Sequence, residues 1–167
     1  MKELILLNQT FETNSINEKE MAELARQIGQ IIQYDDTLLL SGEIGAGKSY
    51  FCRKLIQSRQ LYPEEVPSPT FTLVQTYDTN SGEIWHVDLY RLTSAEALIE
   101  LGLSEAFEEK ICLIEWPERI TDLLPEKAMH LYLDFGTDTD SRILSLPDGA
   151  QMPGSGDTKL AAALAEL

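Results

Sequence analysis

Eight residues, Gly42-Glu43-Ile44-Gly45-Ala46-Gly47-Lys48-Ser49, restrict the possible folds of this chain more than any other stretch. Their pattern is G-x-x-x-x-G-K-[ST]. Glycine reaches positive φ at no steric cost, so a loop with this spacing can curl until its N–H groups converge on one anion. Lys48 adds a point charge suited to the β- and γ-phosphates of a nucleotide, and the Ser49 hydroxyl suits Mg2+. Gly42, Glu43, Gly45, Ala46, Gly47 and the following Tyr50 offer main-chain groups to the same phosphates. Residues 37–41, an apolar run after Asp35-Asp36, read as a buried strand. Phe51, Leu55 and Ile56 fall at helical spacing on the other side. Strand, glycine loop and helix is the order that such a loop requires, and the helix dipole adds positive potential at its N-terminus.

Composition narrows the class. The chain has 167 residues, 43% of them hydrophobic, which suffices for one core and is short for two. Residues 1–147 are expected to form one P-loop ATPase domain. Residues 148–167, rich in Gly, Pro, Ser and Asp at first, form a tail in which 159–167 can make one or two helical turns. No apolar run approaches the roughly 18 residues of a membrane span. The N-terminal apolar run is brief and reads as a first strand over 3–7, not as a secretion signal; a cytoplasmic location is expected. Cys52 and Cys112 read as buried free thiols, and two distant cysteines without histidines near them in sequence make no zinc site. The net charge of −15 makes repulsion of nucleic acid the default, so any role with RNA is expected to be indirect or confined to a local patch.

The periodicity predicts a helix from a capping box at Ser15-Ile16-Asn17-Glu18 to about Ile32. Residues 61–69 hold Pro63, Pro67 and Pro69 and are irregular. Strands are predicted over 71–77 and 83–89, joined by a turn as a hairpin. A helix over 94–101, an apolar strand over 110–115, a short helix or turn over 117–123 and an antiparallel pair at 129–135 and 142–146 follow. The whole reads as α/β: a P-loop NTPase-like mixed β-sheet with helices on both faces.

Nucleotide hydrolysis also needs carboxylates near the phosphates, to hold the metal or orient water. Glu115 ends the run Ile111-Cys112-Leu113-Ile114, the arrangement of a Walker B strand. Asp88 lies in His86-Val87-Asp88-Leu89-Tyr90, alternating with His86 and Tyr90. Thr70, in Ser68-Pro69-Thr70-Phe71-Thr72, is placed to act as a switch hydroxyl that senses the γ-phosphate. Trp116 is a candidate wall of the nucleotide pocket. His86 and His130 read as structural. No Asn-Lys-x-Asp segment is present to read guanine, so ATP is preferred to GTP.

These stretches together resemble the bacterial TsaE family, the ATPase of tRNA threonylcarbamoyladenosine biosynthesis. The likeness is carried by the glycine loop, Ser68-Pro69-Thr70-Phe71-Thr72-Leu73-Val74, His86-Val87-Asp88-Leu89-Tyr90-Arg91-Leu92, Glu100-Leu101-Gly102 and Cys112-Leu113-Ile114-Glu115-Trp116-Pro117-Glu118. The resemblance implies ATP and Mg2+ as cofactors, with Ser49 and Glu115 on the metal. It implies Asp88 as an essential carboxylate near the γ-phosphate, and Thr70 in a switch-like segment. It further implies work with TsaB and TsaD, the latter modifying adenosine 37 of tRNAs that read codons starting with A. The family places two threonines after the loop lysine. Here Ser49 and Tyr50 stand there, and a tyrosine does not reproduce a small hydroxyl at the α-phosphate. A P-loop small-molecule kinase and a nucleotide-binding module without catalysis are the competing classes. A kinase would carry a lid with clustered arginines, whereas the arginines here are scattered.

Overall fold

The computed structural model describes residues 11–13 and 15–146; the strand expected at 3–7 and the tail lie outside them. Its elements are β1 (Phe11–Glu12), α1 (Glu18–Ile31), β2 (Thr37–Ser41), α2 (Lys48–Gln57), β3 (Val74–Thr79), β4 (Gly82–Asp88), α3 (Glu96–Glu100), α4 (Leu103–Glu109), β5 (Ile111–Glu115), β6 (Met129–Phe135) and β7 (Arg142–Leu146). Two single 3-10 turns, Pro117–Arg119 and Thr121–Leu123, follow β5.

The strands form one sheet in the order β1-β7-β6-β2-β5-β4-β3. Its centre is parallel: β2 pairs with β6 on one side and β5 on the other, and β5 pairs with β4. Its margins are antiparallel, through the β3–β4 hairpin and the β6–β7 and β1–β7 pairs. All five residues of β2 and of β5 are buried, as expected of parallel strands covered on both faces.

Alternation divides the core. Leu38, Leu40, Leu113 and Leu131 face Ile28 of α1 and Phe51 and Leu55 of α2. Leu39, Cys112, Ile114 and Val87 face Leu98 of α3 and Phe107 of α4. Helices therefore cover both faces of a mixed sheet. Each leucine taken fully out of water contributes roughly 1.5–3 kcal/mol before entropy is charged against it. Arg59, just past α2, donates to the carbonyls of Gly29 and Ile32, where α1 ends without a basic residue of its own. It complements the negative end of that helix and ties α1 to α2.

Several predicted boundaries move. The capping box is Asn17 with Glu20, not Ser15 with Glu18: Glu20 N–H donates to Asn17 Oδ1 and Asn17 N–H to Glu20 Oε2. Ser15 is held instead by Ser141, and Ile16 exchanges two main-chain hydrogen bonds with Arg142, so the chain stays extended two residues longer. The strand expected at 71 begins at Val74, because Leu73 is at φ 64 and Thr72 N–H closes a turn on the Pro69 carbonyl. Helix α4 was not foreseen; Gly102 at φ 84 breaks the helical pattern and restarts it. Residue 90 lies past the end of β4, so Tyr90 does not share its strand face with His86 and Asp88.

His130 on β6 is 5% exposed, and burial lowers its pKa to about 4. An unfolded histidine titrates near 6.5, so between about pH 6.5 and 4 the unfolded chain takes up a proton that the folded chain refuses. Stability is therefore expected to be full above pH 6.5 and to fall toward pH 4, by at most roughly 3 kcal/mol from this group. Urea unfolding of the parent and of His130→Gln across this range checks it; equal pH slopes in the two proteins would refute the assignment.

Candidate phosphate and metal site

The loop between β2 and α2 is a cradle built by conformation. Gly42, Gly45 and Gly47 all have positive φ, at 148, 82 and 104°. At Gly42 space is also decisive, since a Cβ would collide with the main-chain carbonyl of Leu133 on β6. Gly47 serves as the N-cap of α2 in the left-handed region, and no side chain caps the helix. Its first N–H groups are thus without a side-chain cap.

Lys48 is 5% exposed, and its Nζ donates to the carbonyls of Gly42 at 2.7 Å and Glu43 at 2.9 Å. The Trp116 ring lies 3.9 Å from that ammonium. Burial lowers the lysine pKa, while the carboxylates of Glu115, Glu118 and Asp88 pull it back up. Trp116 itself sits at φ 59, a costly conformation for a bulky residue, with its N–H on the Leu40 carbonyl.

Glu115 is 2% exposed and holds two partners. Ser49 Oγ donates to Oε2 at 2.9 Å, and His86 Nε2 meets Oε1 at 2.7 Å. The imidazole thus fixes one carboxylate oxygen and leaves the other facing the loop serine. His86, read from the sequence as a structural histidine, holds this carboxylate in place. A chain of hydroxyls continues from Ser49: Ser49 Oγ to Ser68 Oγ is 3.3 Å, and Ser68 Oγ to Thr70 Oγ1 is 2.8 Å. Thr70 donates to Asp88 Oδ2 at 2.7 Å, and Asp88 Oδ1 accepts from Tyr90 N–H. The outer hydroxyls spend their protons on carboxylates, so Ser68 has one proton for two hydroxyl neighbours.

A cavity of about 330 Å³ opens on this arrangement, lined by Gly45, Gly47, Lys48, Ser49, Tyr50, Thr70, Asp88, Glu115 and Trp116 among others. Gly42 and Glu43 line a neighbouring cleft of about 730 Å³ with Trp116, and Ala46 is buried behind the loop. Tyr50 points away from the carboxylates, its hydroxyl 3.3 Å from the Glu18 carbonyl. It separates this cavity from a further cleft of about 850 Å³ lined by Asn17, Glu18, Lys19, Asp140 and Arg142.

Arg142 was not foreseen. From β7 its guanidinium donates to the Ala46 carbonyl at 3.1 Å and the Gly45 carbonyl at 3.0 Å. It grips the outside of the loop, with those carbonyls turned toward it. The only hint in sequence is one basic residue opening a strand in an acidic chain. Ser41 was also missed: its hydroxyl bridges His130 Nε2 at 2.7 Å and Glu118 at 3.1 Å, just before the loop.

A glycine loop at the carboxyl end of a central parallel strand, with an acid from the adjacent strand on the loop serine, defines an α/β protein of the P-loop type. The family model for threonylcarbamoyl adenosine biosynthesis protein TsaE matches residues 15–143, and the chain belongs to that family. A TsaE of Rickettsia felis is 41% identical over 130 residues, 78% of this chain and 75% of that protein. The Rickettsia bellii protein of the same name is 38% identical over 84% of this chain and 96% of its own length. One from Aquifex aeolicus is 36% identical over 62% and 74%. The crystal structure of Bacillus subtilis YdiB superposes with a TM-score of 0.73 over 99% of this chain and 97% of that one, at 24% identity, and so shares the fold. Among the described residues no helix is long and apolar enough to cross a membrane.

Gly42→Ala is expected to destabilise the fold by about 1–3 kcal/mol, because the loop must leave its positive φ and move off the Leu133 carbonyl. Thermal unfolding followed by circular dichroism tests this; an unchanged midpoint would mean that the loop is not held against β6.

Proposed function

We propose that this chain binds ATP with Mg2+ and hydrolyses it, and that the cycle serves a TsaB–TsaD complex that threonylcarbamoylates adenosine 37 of tRNAs reading codons that begin with A. The observation that supports this best is the meeting of Lys48, Ser49, Thr70, Asp88 and Glu115 around one cavity, although they come from α2, the segment before β3, β4 and β5. Family membership supports the pathway. The net charge of −15 supports leaving the tRNA to the partners. A cytoplasmic location follows from the same reading.

The donor set suits magnesium, a hard cation that takes oxygen ligands. Ser49 and Glu115 would hold it, and bound there it would neutralise charge developing on the phosphoryl oxygens. In this reading the residues of the chain have separate tasks. Loop N–H groups and Lys48 orient the phosphates and stabilise their charge. Arg142 keeps the loop carbonyls turned outward. Asp88 accepts the Thr70 proton and is the carboxylate placed to orient water, while Thr70 and Ser68 link its position to Ser49. Tyr50 offers its main-chain N–H to the α-phosphate; its ring serves as a wall toward the cleft beside α1.

The kinase alternative is disfavoured by the arginines. Arg53 donates to the Val66 carbonyl, Arg59 to the end of α1, Arg142 to the loop, and Arg26 pairs with Glu23. Arg91 lies over Phe71. These arginines are committed to local structure rather than gathered over the phosphates.

Lys48→Ala is expected to reduce ATP hydrolysis by about a hundredfold or more, read as phosphate release with the partner complex present. Arg142→Ala loses two loop hydrogen bonds, each worth about 1 kcal/mol, and should weaken ATP binding by about tenfold while leaving folding intact. Asp88→Asn should keep binding and lose turnover. Multiple-turnover tRNA modification by TsaB–TsaD that proceeds equally with no added chain would remove the proposed role.

A further inference from the structure

The sequence separates its cysteines from its histidines, but the fold does not. Cys52 on α2, His86 on β4 and Glu115 on β5 meet beneath the floor of the phosphate cavity, with the Sγ, imidazole nitrogen and carboxylate oxygen all within 4.8 Å of one another. Cys52 and His86 are wholly buried and Glu115 nearly so. Bonds of about 2.0–2.3 Å to a tetrahedral zinc set its ligands roughly 3.3–3.8 Å apart, so the three groups would have to rearrange around the ion on binding.

A further observation points to a cation. His86 Nδ1 is buried with no hydrogen-bond partner, so one ring nitrogen has nothing to satisfy it. The three side chains supply the donor types that a thiophilic divalent cation takes. With one thiolate, one carboxylate and a neutral imidazole, the charges of such a site sum to zero. Sulfur decides the kind of ion, because thiolate and imidazole favour Zn2+ while Mg2+ prefers oxygen. Entry is provided by Glu115, which lines the open cavity above.

We infer that Cys52, His86 and Glu115 form a binding site for a thiophilic divalent cation of the zinc class, and that an ion held there draws Glu115 away from Ser49. Binding forms a metal–sulfur bond and releases the thiol proton to solvent, with no change of oxidation state. The carboxylate that partners Ser49 is then committed to the softer ion. The consequence for turnover rests on the ATPase reading above; the site itself does not.

The test uses the purified full chain, freed of metal, with Co2+ as the spectroscopic probe and Zn2+ as competitor. The parent should develop a thiolate-to-cobalt charge-transfer band and tetrahedral d–d bands, both erased by Zn2+. Cys52→Ala should lose the charge-transfer band, and His86→Asn should weaken binding by about 10–100-fold or more. If Cys52→Ala misfolds by circular dichroism, Cys52→Ser replaces it. Cobalt that binds without a thiolate band, or with the same band and affinity after Cys52 is replaced, overturns the site. In a second arm Zn2+ is added to hydrolysis assays at excess Mg2+. It should inhibit the parent and spare Cys52→Ala, whose magnesium-dependent rate stays at the parent level; equal inhibition of both overturns the link to Glu115. A parent that hydrolyses no ATP would sink the ATPase reading alone, since the cobalt spectra decide the site independently.

Discussion

Two parallel ladders carry the site. Pairing of β5 with β2 sets Glu115 opposite Leu40, and pairing of β4 with β5 sets Asp88 opposite Glu115. The ends of three adjacent strands are thereby level, so the loop that leaves β2 emerges beside two carboxylates. Registers of this kind are strongly determined when both faces are buried. A slip of one residue would turn Leu38, Leu40, Ile111 and Leu113 away from α1 and α2, and would point Glu115 into the opposite core. The same apolar packing that holds the sheet together also sets the reach between Ser49 and its acid.

On that frame, electrostatics is arranged in layers. The cation Lys48 and the N–H groups of the loop face the cavity; Glu115, Asp88 and Glu118 oppose them at short range. The loop is held from behind by Arg142 and from below by the close approach of Gly42 to β6. Such bracing matters because a cradle that must reorganise to receive charge gives up part of what its dipoles offer. The hydroxyl series from Ser49 through Ser68 and Thr70 to Asp88 runs between the two acids along an otherwise irregular segment. It gives that segment a structural reason to be where it is despite its three prolines.

Much of this was legible in the order of residues, for local reasons. The glycine loop announces itself by spacing, β2 and β5 by apolar runs too short for helices, and the β3–β4 and β6–β7 pairs by alternation and turn residues. The errors have local causes as well. Ser15 has the chemistry of an N-cap, but pairing of Ile16 with Arg142 keeps it extended and passes the cap to Asn17. Gly102 looks like the end of a helix, and it is one, yet its left-handed conformation also starts the next. Tyr90 would share a face with Asp88 only if β4 ran further, but Tyr90 N–H bonds the Asp88 side chain and Leu92 N–H closes a turn on the Leu89 carbonyl.

What the residues settled unaided is whatever depends on neighbours along the chain: a loop of positive-φ glycines, because only glycine accepts its dihedrals easily; a central strand before it; and a helix after it. What tertiary structure alone decided is which distant groups share a hydrogen bond. His86 with Glu115, Arg142 with the loop carbonyls, Ser41 with His130 and the convergence of Cys52 on the same pocket involve residues far apart in sequence. Their meeting depends on strand order and register, which burial across the whole sheet selects and no short segment encodes.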